Sequence, residues 1–168
     1  MRRSADYWIQ KLNLSKHPEG GSFAQVYRSD LKIAATALPH TFGADRNVCT
    51  SIYFLLQQNQ FSAFHRIKSD EIWHFYYGDP LTVYEIDPGA KLIQHHLSND
   101  PGSGESFQCI IKAGNWFAAK PGKNSEYALV GCTVSPGFDF KDFELASKTE
   151  LTRAYPQHEA IINLLCIK

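Results

Sequence analysis

The chain has 168 residues, of which 43% are hydrophobic and 13% aromatic, enough for one full hydrophobic core but few for two. Lysine plus arginine and aspartate plus glutamate balance at 17 each, which excludes a strongly basic surface for nucleic acid. The sequence contains no run of 18 apolar residues and no signal-peptide pattern. We therefore predict a single domain, residues 1–168, in a cytoplasmic protein that binds neither nucleic acid nor a membrane.

In chain order, the first predicted element is a short helix that begins after Ser4. Serine is a common N-cap residue, and apolar residues follow at helical spacing as far as Leu12. The segment "HPEGG", residues 17–21, ends this pattern. Two successive glycines permit a positive φ or close approach of another segment, so we expect a tight turn that carries His17 and Glu19 to the mouth of the fold. The alternative is a simple helix cap.

Many short strand patterns follow, separated by turns such as Gly-Asp-Pro and Asp-Pro-Gly. They comprise residues 22–31, 48–56, 63–67, 71–78, 81–86, 91–98, 106–112, 115–120 and 127–134. No helix-length periodic segment separates successive strands, which favours an antiparallel sandwich or barrel over a parallel α/β fold. A helical segment is predicted again only from Thr149, with Pro156 at a first helical position.

The spacing of His65, Glu71 and Gly78, with five and then six residues between them, resembles the first motif of the cupin superfamily. Similarity to its cupin-5 branch, a former domain of unknown function, extends to "HPEGGSFAQVYRS", "TSIYFLL", "SDEIWHFYYGDPL" and "LVGCTVSPGFDFKDFELA". The resemblance implies an all-β fold, a double-stranded β-helix or jelly-roll barrel, with short N- and C-terminal helices. It also implies a small-molecule ligand inside the barrel and a homodimer.

The resemblance provides a test for a metal cofactor. Metal-binding cupins carry a pair of histidines, a glutamate and one more histidine in a second motif. Here Ile67 occupies the second position of the pair, and the place of the last histidine falls near Glu126 or Tyr127. We therefore expect either no cofactor or a single divalent transition metal.

Such a metal would be bound by His65, Glu71 and His74, provided that His74 faces the interior. In a regular strand, side chains alternate between faces, so His74 lies opposite Glu71. A β-bulge would reverse this orientation. The direction of His74 therefore separates the metal hypothesis from the others.

For proton transfer we predict His65, Glu71 and Tyr77 as catalytic residues. Imidazole exchanges protons near neutral pH. Burying a glutamate on a strand costs desolvation free energy, which favours a hydrogen-bond partner or a functional role for Glu71. Burial would raise the pKa of Glu71. In a regular strand Tyr77 lies on the same face as Glu71, and its phenol is a candidate acid. In the competing interpretation, His65 only forms hydrogen bonds within the sheet and Tyr77 is a packing residue with a hydrogen-bonded hydroxyl.

Other side chains are candidates for binding the ligand itself. A guanidinium group suits an anionic group, and aromatic faces suit a sugar ring or a planar base. Surface ion pairing and ordinary core packing are the competing interpretations. The candidates are Glu19, Arg28, Arg66, Trp73, Phe75 and Trp116.

The leading functional hypothesis is a protein that binds a small polar metabolite, a sugar or nucleotide-sugar-like compound. As an enzyme it would isomerise or epimerise this compound without metal, because metal-free epimerases of the cupin superfamily use a histidine base and a tyrosine acid. Two alternatives stay open. One is a metal-dependent oxygenase or isomerase, and the other is a non-catalytic binding module.

Overall fold

The computed structural model describes residues 2–167, which contain thirteen β-strands. The strands are β1 (Ser15–Lys16), β2 (Ser22–Arg28), β3 (Lys32–Ile33), β4 (Arg46–Asn47), β5 (Thr50–Gln57), β6 (Ser62–Arg66), β7 (Asp70–Gly78), β8 (Leu81–Ile86), β9 (Leu92–Leu97), β10 (Gln108–Ile111), β11 (Trp116–Pro121), β12 (Tyr127–Ser135) and β13 (Glu144–Leu145). Each predicted strand is present as one of β2 and β5–β12. The two-residue strands were not predicted, because two residues carry no periodicity.

Two antiparallel sheets form the body of the protein. The larger sheet has the strand order β1-β2-β5-β12-β7-β10, and the smaller has the order β13-β6-β11-β8-β9. Strands distant in sequence are neighbours in both sheets, as in a jelly roll. The predicted all-β jelly-roll fold with short terminal helices is therefore confirmed.

The main hydrophobic core lies between the two sheets. Its largest buried side chains include Phe54 and Trp73 from the larger sheet and Phe117 from the smaller one. These residues alternate with outward-facing residues along their strands, as the period of two requires. Complete burial of one such side chain stabilises the fold by about 1.5–3 kcal/mol.

Helix α1 (Ala5–Lys11) covers one part of the outer face of the larger sheet. Its predicted N-cap is confirmed, since the Ser4 side chain accepts a hydrogen bond from the Tyr7 N–H at 3.2 Å. Trp8 packs against Tyr127 of β12, and the indole N–H donates to the Tyr127 hydroxyl at 3.1 Å. The predicted helix thus lies outside the barrel.

Two further helices, α2 (Lys148–Ala154) and α3 (Glu159–Leu165), cover the outer face of the smaller sheet. The predicted C-terminal helical segment is present, but it is divided. Pro156 begins a short 3₁₀ turn, and the residue before it, Tyr155, leaves the helical conformation, as proline requires of its predecessor. No helix in residues 2–167 has the length and apolar character needed to cross a membrane.

Two β-bulges decide which side chains face the space between the sheets. On β7, Phe75 pairs with Val130 but Tyr77 pairs with Leu129, so Tyr76 is an extra residue. The alternation therefore reverses after Phe75, and Tyr77 faces outward with Leu129. This is a correction, because we expected Tyr77 on the same face as Glu71.

The second bulge lies on β2. Gln25 pairs with Ile52 and Tyr27 with Ser51, which leaves Val26 as the extra residue. As a result, Gln25 and Arg28 both face the interior although they are three residues apart.

Candidate functional site

A cavity of about 370 Å³ lies between the two sheets. This volume is in the range of small-molecule sites. Two histidines and two glutamates at its buried end form what we call the floor: His17, Glu19, His65 and Glu71. Gln25, Arg28, Asp139 and Phe140 line its more exposed end, which we call the mouth. Phe23, Phe54 and Phe138 form the walls.

The glycine turn between β1 and β2 carries Glu19 into the cavity. Gly20 has φ +113° and Gly21 has φ +71°, values that other residues rarely adopt. A side chain at Gly20 would overlap the Phe61 carbonyl oxygen, so the turn passes directly against the start of β6. The Glu19 carbonyl accepts a hydrogen bond from the Ala63 N–H at 2.8 Å. The expected tight turn is therefore present, but it carries His17 and Glu19 to the buried floor and not to the mouth as expected.

Glu19 and His65 face each other in the floor and share a proton. The His65 Nδ1 lies 2.7 Å from the Ala63 carbonyl oxygen, and because a carbonyl only accepts, this nitrogen carries a hydrogen. The His65 Nε2 lies 3.2 Å from Glu19 Oε2. Two acceptors would repel at this distance, so one proton must lie between them. Ser62 donates to the other carboxyl oxygen of Glu19 at 2.7 Å.

Burial decides where this proton resides. It raises the pKa of Glu19 and lowers the pKa of His65 to about 4, because both side chains are withdrawn from water. Both shifts favour the proton on the carboxyl of Glu19, which then donates to the neutral ring of His65.

His17 completes the contacts of Glu19. Its Nδ1 accepts a hydrogen bond from the Glu19 N–H at 3.4 Å, and the ring packs edge-on against Phe23. Burial lowers the pKa of His17, although the nearby Glu19 acts in the opposite direction. His17 is therefore an uncharged ring that holds the turn.

Glu71 reaches the same floor from β7 of the larger sheet. Its pKa is raised to about 8, chiefly by burial and further by any negative charge on Glu19, while the Cys132 thiol acts in the opposite direction. Within residues 2–167, no lysine, arginine or histidine forms an ion pair with this carboxyl group. Glu71 is therefore mostly protonated at neutral pH and ionises in mild alkali.

Replacing Glu71 by glutamine is expected to change how stability depends on pH. The carboxyl ionises near pH 4.5 in the unfolded chain and near 8 in the fold, so folding takes up a proton between these values. Stability therefore falls as pH rises through this window, and Glu71→Gln removes the fall. Relative to wild type, we expect the variant to gain about 2–4 kcal/mol between pH 5 and pH 9 in urea denaturation. A constant difference across this range would contradict the raised pKa.

The family follows from comparison with known proteins. The family model described as "Cupin superfamily (DUF985)" matches residues 6–146. The chain belongs to this cupin family. The resemblance seen in the sequence motifs is thus confirmed.

Solved structures agree with this assignment. A hypothetical protein from Leishmania major is 34% identical, with a TM-score of 0.91, over 99% of this chain and 100% of that one. A protein from Shewanella oneidensis is 39% identical, with a TM-score of 0.86, over 98% of each chain. Oxalate decarboxylase from Bacillus subtilis is 13% identical, with a TM-score of 0.53, over 89% of this cupin and 36% of that chain, and shows the fold alone. A search of the curated proteins found no match.

Many cupins bind a metal, and the donor set of this cupin does not fit one. No group of three histidine, cysteine, aspartate or glutamate side chains in the described part of the chain is placed to share an ion. Both nitrogens of His65 are already engaged, by Ala63 and by Glu19. Glu71 is mostly protonated near neutral pH, and a protonated carboxyl is a poor ligand. We therefore derive no step through a metal.

His74, the third expected ligand, faces outward. Its Nε2 lies 3.2 Å from the Thr133 hydroxyl, and its ring stacks on Tyr76. The bulge at Tyr76 follows His74, so the regular alternation still holds at His74. The set His65, Glu71 and His74 is thus not brought together.

Three other candidate residues of this cupin also lie outside the barrel. Tyr77 packs against Trp8 of α1, with ring centroids 5.6 Å apart. Trp116 faces the C-terminal helices, and Arg66 lies over its ring while pairing with Glu144 at 2.7 Å. The predicted catalytic contact of Tyr77 and the predicted ligand contacts of Arg66 and Trp116 are therefore not supported.

The remaining candidates lie inside. Trp73 and Phe75 are core side chains, 1% and 8% exposed, and neither lines the cavity, so the packing interpretation fits them better. Glu19 and Arg28 do line it. Of the catalytic candidates, His65 and Glu71 lie in the floor as expected.

Sequence reasoning missed several residues of the site. Phe138, Asp139 and Phe140 follow the Pro-Gly turn after β12 and reach the cavity. The aromatic-rich segment "GFDF" was a usable signal, since two phenylalanines in one short loop are uncommon. Ser62 carried no signal, because its role depends on a contact with Glu19, 43 residues away.

Proposed function

We propose that this cupin binds a small polar metabolite, a sugar-like compound, between its sheets and isomerises or epimerises it without metal. One observation carries the proposal. Glu19, His65 and Glu71, three groups able to exchange protons, meet at the buried end of a cavity whose walls are aromatic. A water-poor site with acids and bases of different proton affinity suits proton transfer on a bound molecule.

The two carboxyl groups have separate roles in this mechanism. Glu71 titrates near the working pH, so its ionised form removes a proton from a carbon beside a carbonyl group. Glu19 donates its proton to the carbonyl oxygen, which yields an enol. In a substrate with a hydroxyl group on that carbon, Glu71 isomerises it by returning the proton to the former carbonyl carbon while the Glu19 carboxylate takes the proton of that hydroxyl. Epimerisation requires a proton from the opposite face of the original carbon, with the enol O–H proton returned to the Glu19 carboxylate.

His65 acts through Glu19 as a positioning residue. Its ring is oriented by the Ala63 carbonyl, so its Nε2 accepts from Glu19. When Glu19 gives up its proton, the Ser62 hydroxyl, which donates to the other carboxyl oxygen, holds the resulting carboxylate in place. Phe54 and Phe138 offer flat apolar surfaces to a ring and keep water from the reacting carbon.

Deuterium exchange tests this mechanism. Wild-type protein in D₂O is incubated with a panel of aldoses, ketoses and uronates, and loss of the C–H signal beside the carbonyl is followed by NMR. We expect exchange with at least one compound, at a rate that rises as pH approaches 8. Glu71→Gln should slow it by about 10²–10⁴-fold, whereas His74→Gln, on the same strand but facing outward, should leave it unchanged.

Two results would count against the proposal. A ligand that co-purifies, is released unchanged and exchanges no C–H proton would indicate a non-catalytic binding module. A stoichiometric transition metal in protein purified without chelator, lost in His65→Ala, would contradict the metal-free mechanism.

A further inference from the structure

We propose that the ligand is an anion whose carboxylate or phosphate group binds Arg28 at the mouth of the cavity. This inference rests on the proposed function and names the substrate class of the same site. It is carried by the direction of the Arg28 side chain, by its hydrogen-bond partners and by the distribution of acidic groups in the cavity.

The bulge at Val26 directs Arg28 into the cavity. Phe23 and Gln25 face inward on β2, so regular alternation would place Tyr27 inward and Arg28 outward. The extra residue reverses this order, and Arg28 lines the cavity while Tyr27 is exposed on the outer face. A local break in the strand thus brings a guanidinium to the mouth.

Within residues 2–167, neutral oxygens alone hold this guanidinium. Its Nε and Nη2 donate to the Gln25 side-chain oxygen at 3.0 and 2.8 Å. Its Nη1 donates to the Asn47 side-chain oxygen at 3.0 Å and to the Phe138 carbonyl at 3.3 Å. The side chain is therefore oriented without being neutralised, and one N–H of Nη2 stays free for a ligand.

Arg28 has no carboxylate partner in residues 2–167. Arg2, Arg46 and Arg66 each pair with a carboxylate, whereas no carboxylate of these residues lies within 4 Å of Arg3, Arg28 or Arg153. Of these three unpaired arginines, Arg28 is the one that lines the cavity. Asp139 lines the same mouth, but its side chain accepts from the Lys141 N–H at 2.9 Å. A fixed cation with no anion of its own is a suitable partner for a carboxylate or phosphate group.

The cavity also determines how such a ligand would lie. No lysine or arginine of residues 2–167 lines the floor, and a buried anionic group there would oppose the ionisation of Glu71 that proton transfer requires. The anionic group therefore binds at the mouth, and the uncharged polar end of the ligand reaches the floor. This orientation places the carbonyl group beside the proton-transfer residues.

A binding measurement on the full chain tests the inference. Glucose, glucuronate and glucose 6-phosphate share one ring and differ in charge, and their dissociation constants follow from NMR titration of ¹⁵N-labelled protein. We expect one or both anions to bind about tenfold or more tightly than glucose. The glucuronate and glucose 6-phosphate arms distinguish carboxylate from phosphate.

Variants distinguish the effect of Arg28 on anion binding from the effect of general surface charge. Arg28→Gln should abolish the preference for the anion, and Arg66→Gln, which removes an arginine from the outer surface, should retain it. Asp139→Asn should lower the dissociation constant of the anion about two- to threefold, since it removes a nearby negative charge.

Equal affinities, a lack of binding by all three compounds, or a preference that survives Arg28→Gln would each overturn the inference. The titration requires no turnover. Wild-type protein that shows deuterium exchange but no preference for the anions would therefore contradict this inference alone. Wild-type protein that prefers the anions but shows no exchange would contradict only the proton-transfer mechanism.

Discussion

Gly20→Ala is expected to destabilise the protein by about 3 kcal/mol or more. Gly20 has φ +113°, and an added Cβ would overlap the Phe61 carbonyl, a backbone atom that has no freedom to rotate away. The turn must move, and Glu19 moves with it. We therefore expect urea denaturation to show the loss of stability and the ¹⁵N shift of His65 Nε2 to change.

Gly43→Ala is the matched control for this prediction. Gly43 has φ +67°, but no atom lies within 4 Å of a Cβ placed there. This variant should lose only about 1 kcal/mol, from the unfavourable φ alone. Equal losses in the two variants, or an unchanged His65 signal in Gly20→Ala, would show that the close approach to Phe61 does not hold the turn.

Asp142→Asn is expected to cost about 3–5 kcal/mol, because it leaves a buried guanidinium without its counter-ion. Asp142 and Arg46 are buried, with side chains 4% and 3% exposed, and the Arg46 Nη2 donates to the aspartate at 2.7 Å. Asp142 ends the 3₁₀ turn that begins at Phe140, and the next residue, Phe143, packs on the His65 ring. The variant should therefore also loosen one side of the site.

The effect should depend on pH. Burial would raise the pKa of Asp142, but hydrogen bonds from Arg46 and Lys68 outweigh it and hold the pKa below its usual range. The ion pair therefore stabilises the fold above the unfolded pKa of about 3.9, and this contribution is lost as pH falls through the lower folded pKa. The difference between wild type and variant should shrink in acid when urea denaturation is repeated there.

Glu144→Gln is the control, because Glu144 forms an exposed pair with Arg66, with side chains 54% and 42% exposed. This variant should lose less than about 1 kcal/mol of stability. If both variants lost the same amount, the buried pair would have no special role in stability.

Much of the fold was predictable from short-range sequence patterns. Strands β5 to β12 follow from alternation and from the glycine and proline turns between them, and the Ser4 cap marks the start of α1. The motif of His65 and Glu71 predicted two residues of the floor. These features depend on residues close in sequence, so periodicity and turn chemistry suffice to predict them.

The direction of several side chains was not predictable. Tyr77 faces outward and Arg28 inward because β7 and β2 each carry an extra residue. A bulge is a mismatch between two paired strands, and the partner strand of β7, β12, begins about 50 residues later. Alternation within one strand contains no information about that mismatch.

The chemistry of the floor depends most on tertiary structure. From the sequence alone came a cupin-type jelly roll, a glycine turn that carries Glu19, and a histidine and a glutamate in the interior. Only the packing of the turn against β6 places Glu19 Oε2 3.2 Å from His65 Nε2. The raised pKa of Glu71 was expected from its buried strand, but the shared proton and the free charge of Arg28 follow from distances between segments far apart in the chain, which local sequence does not encode.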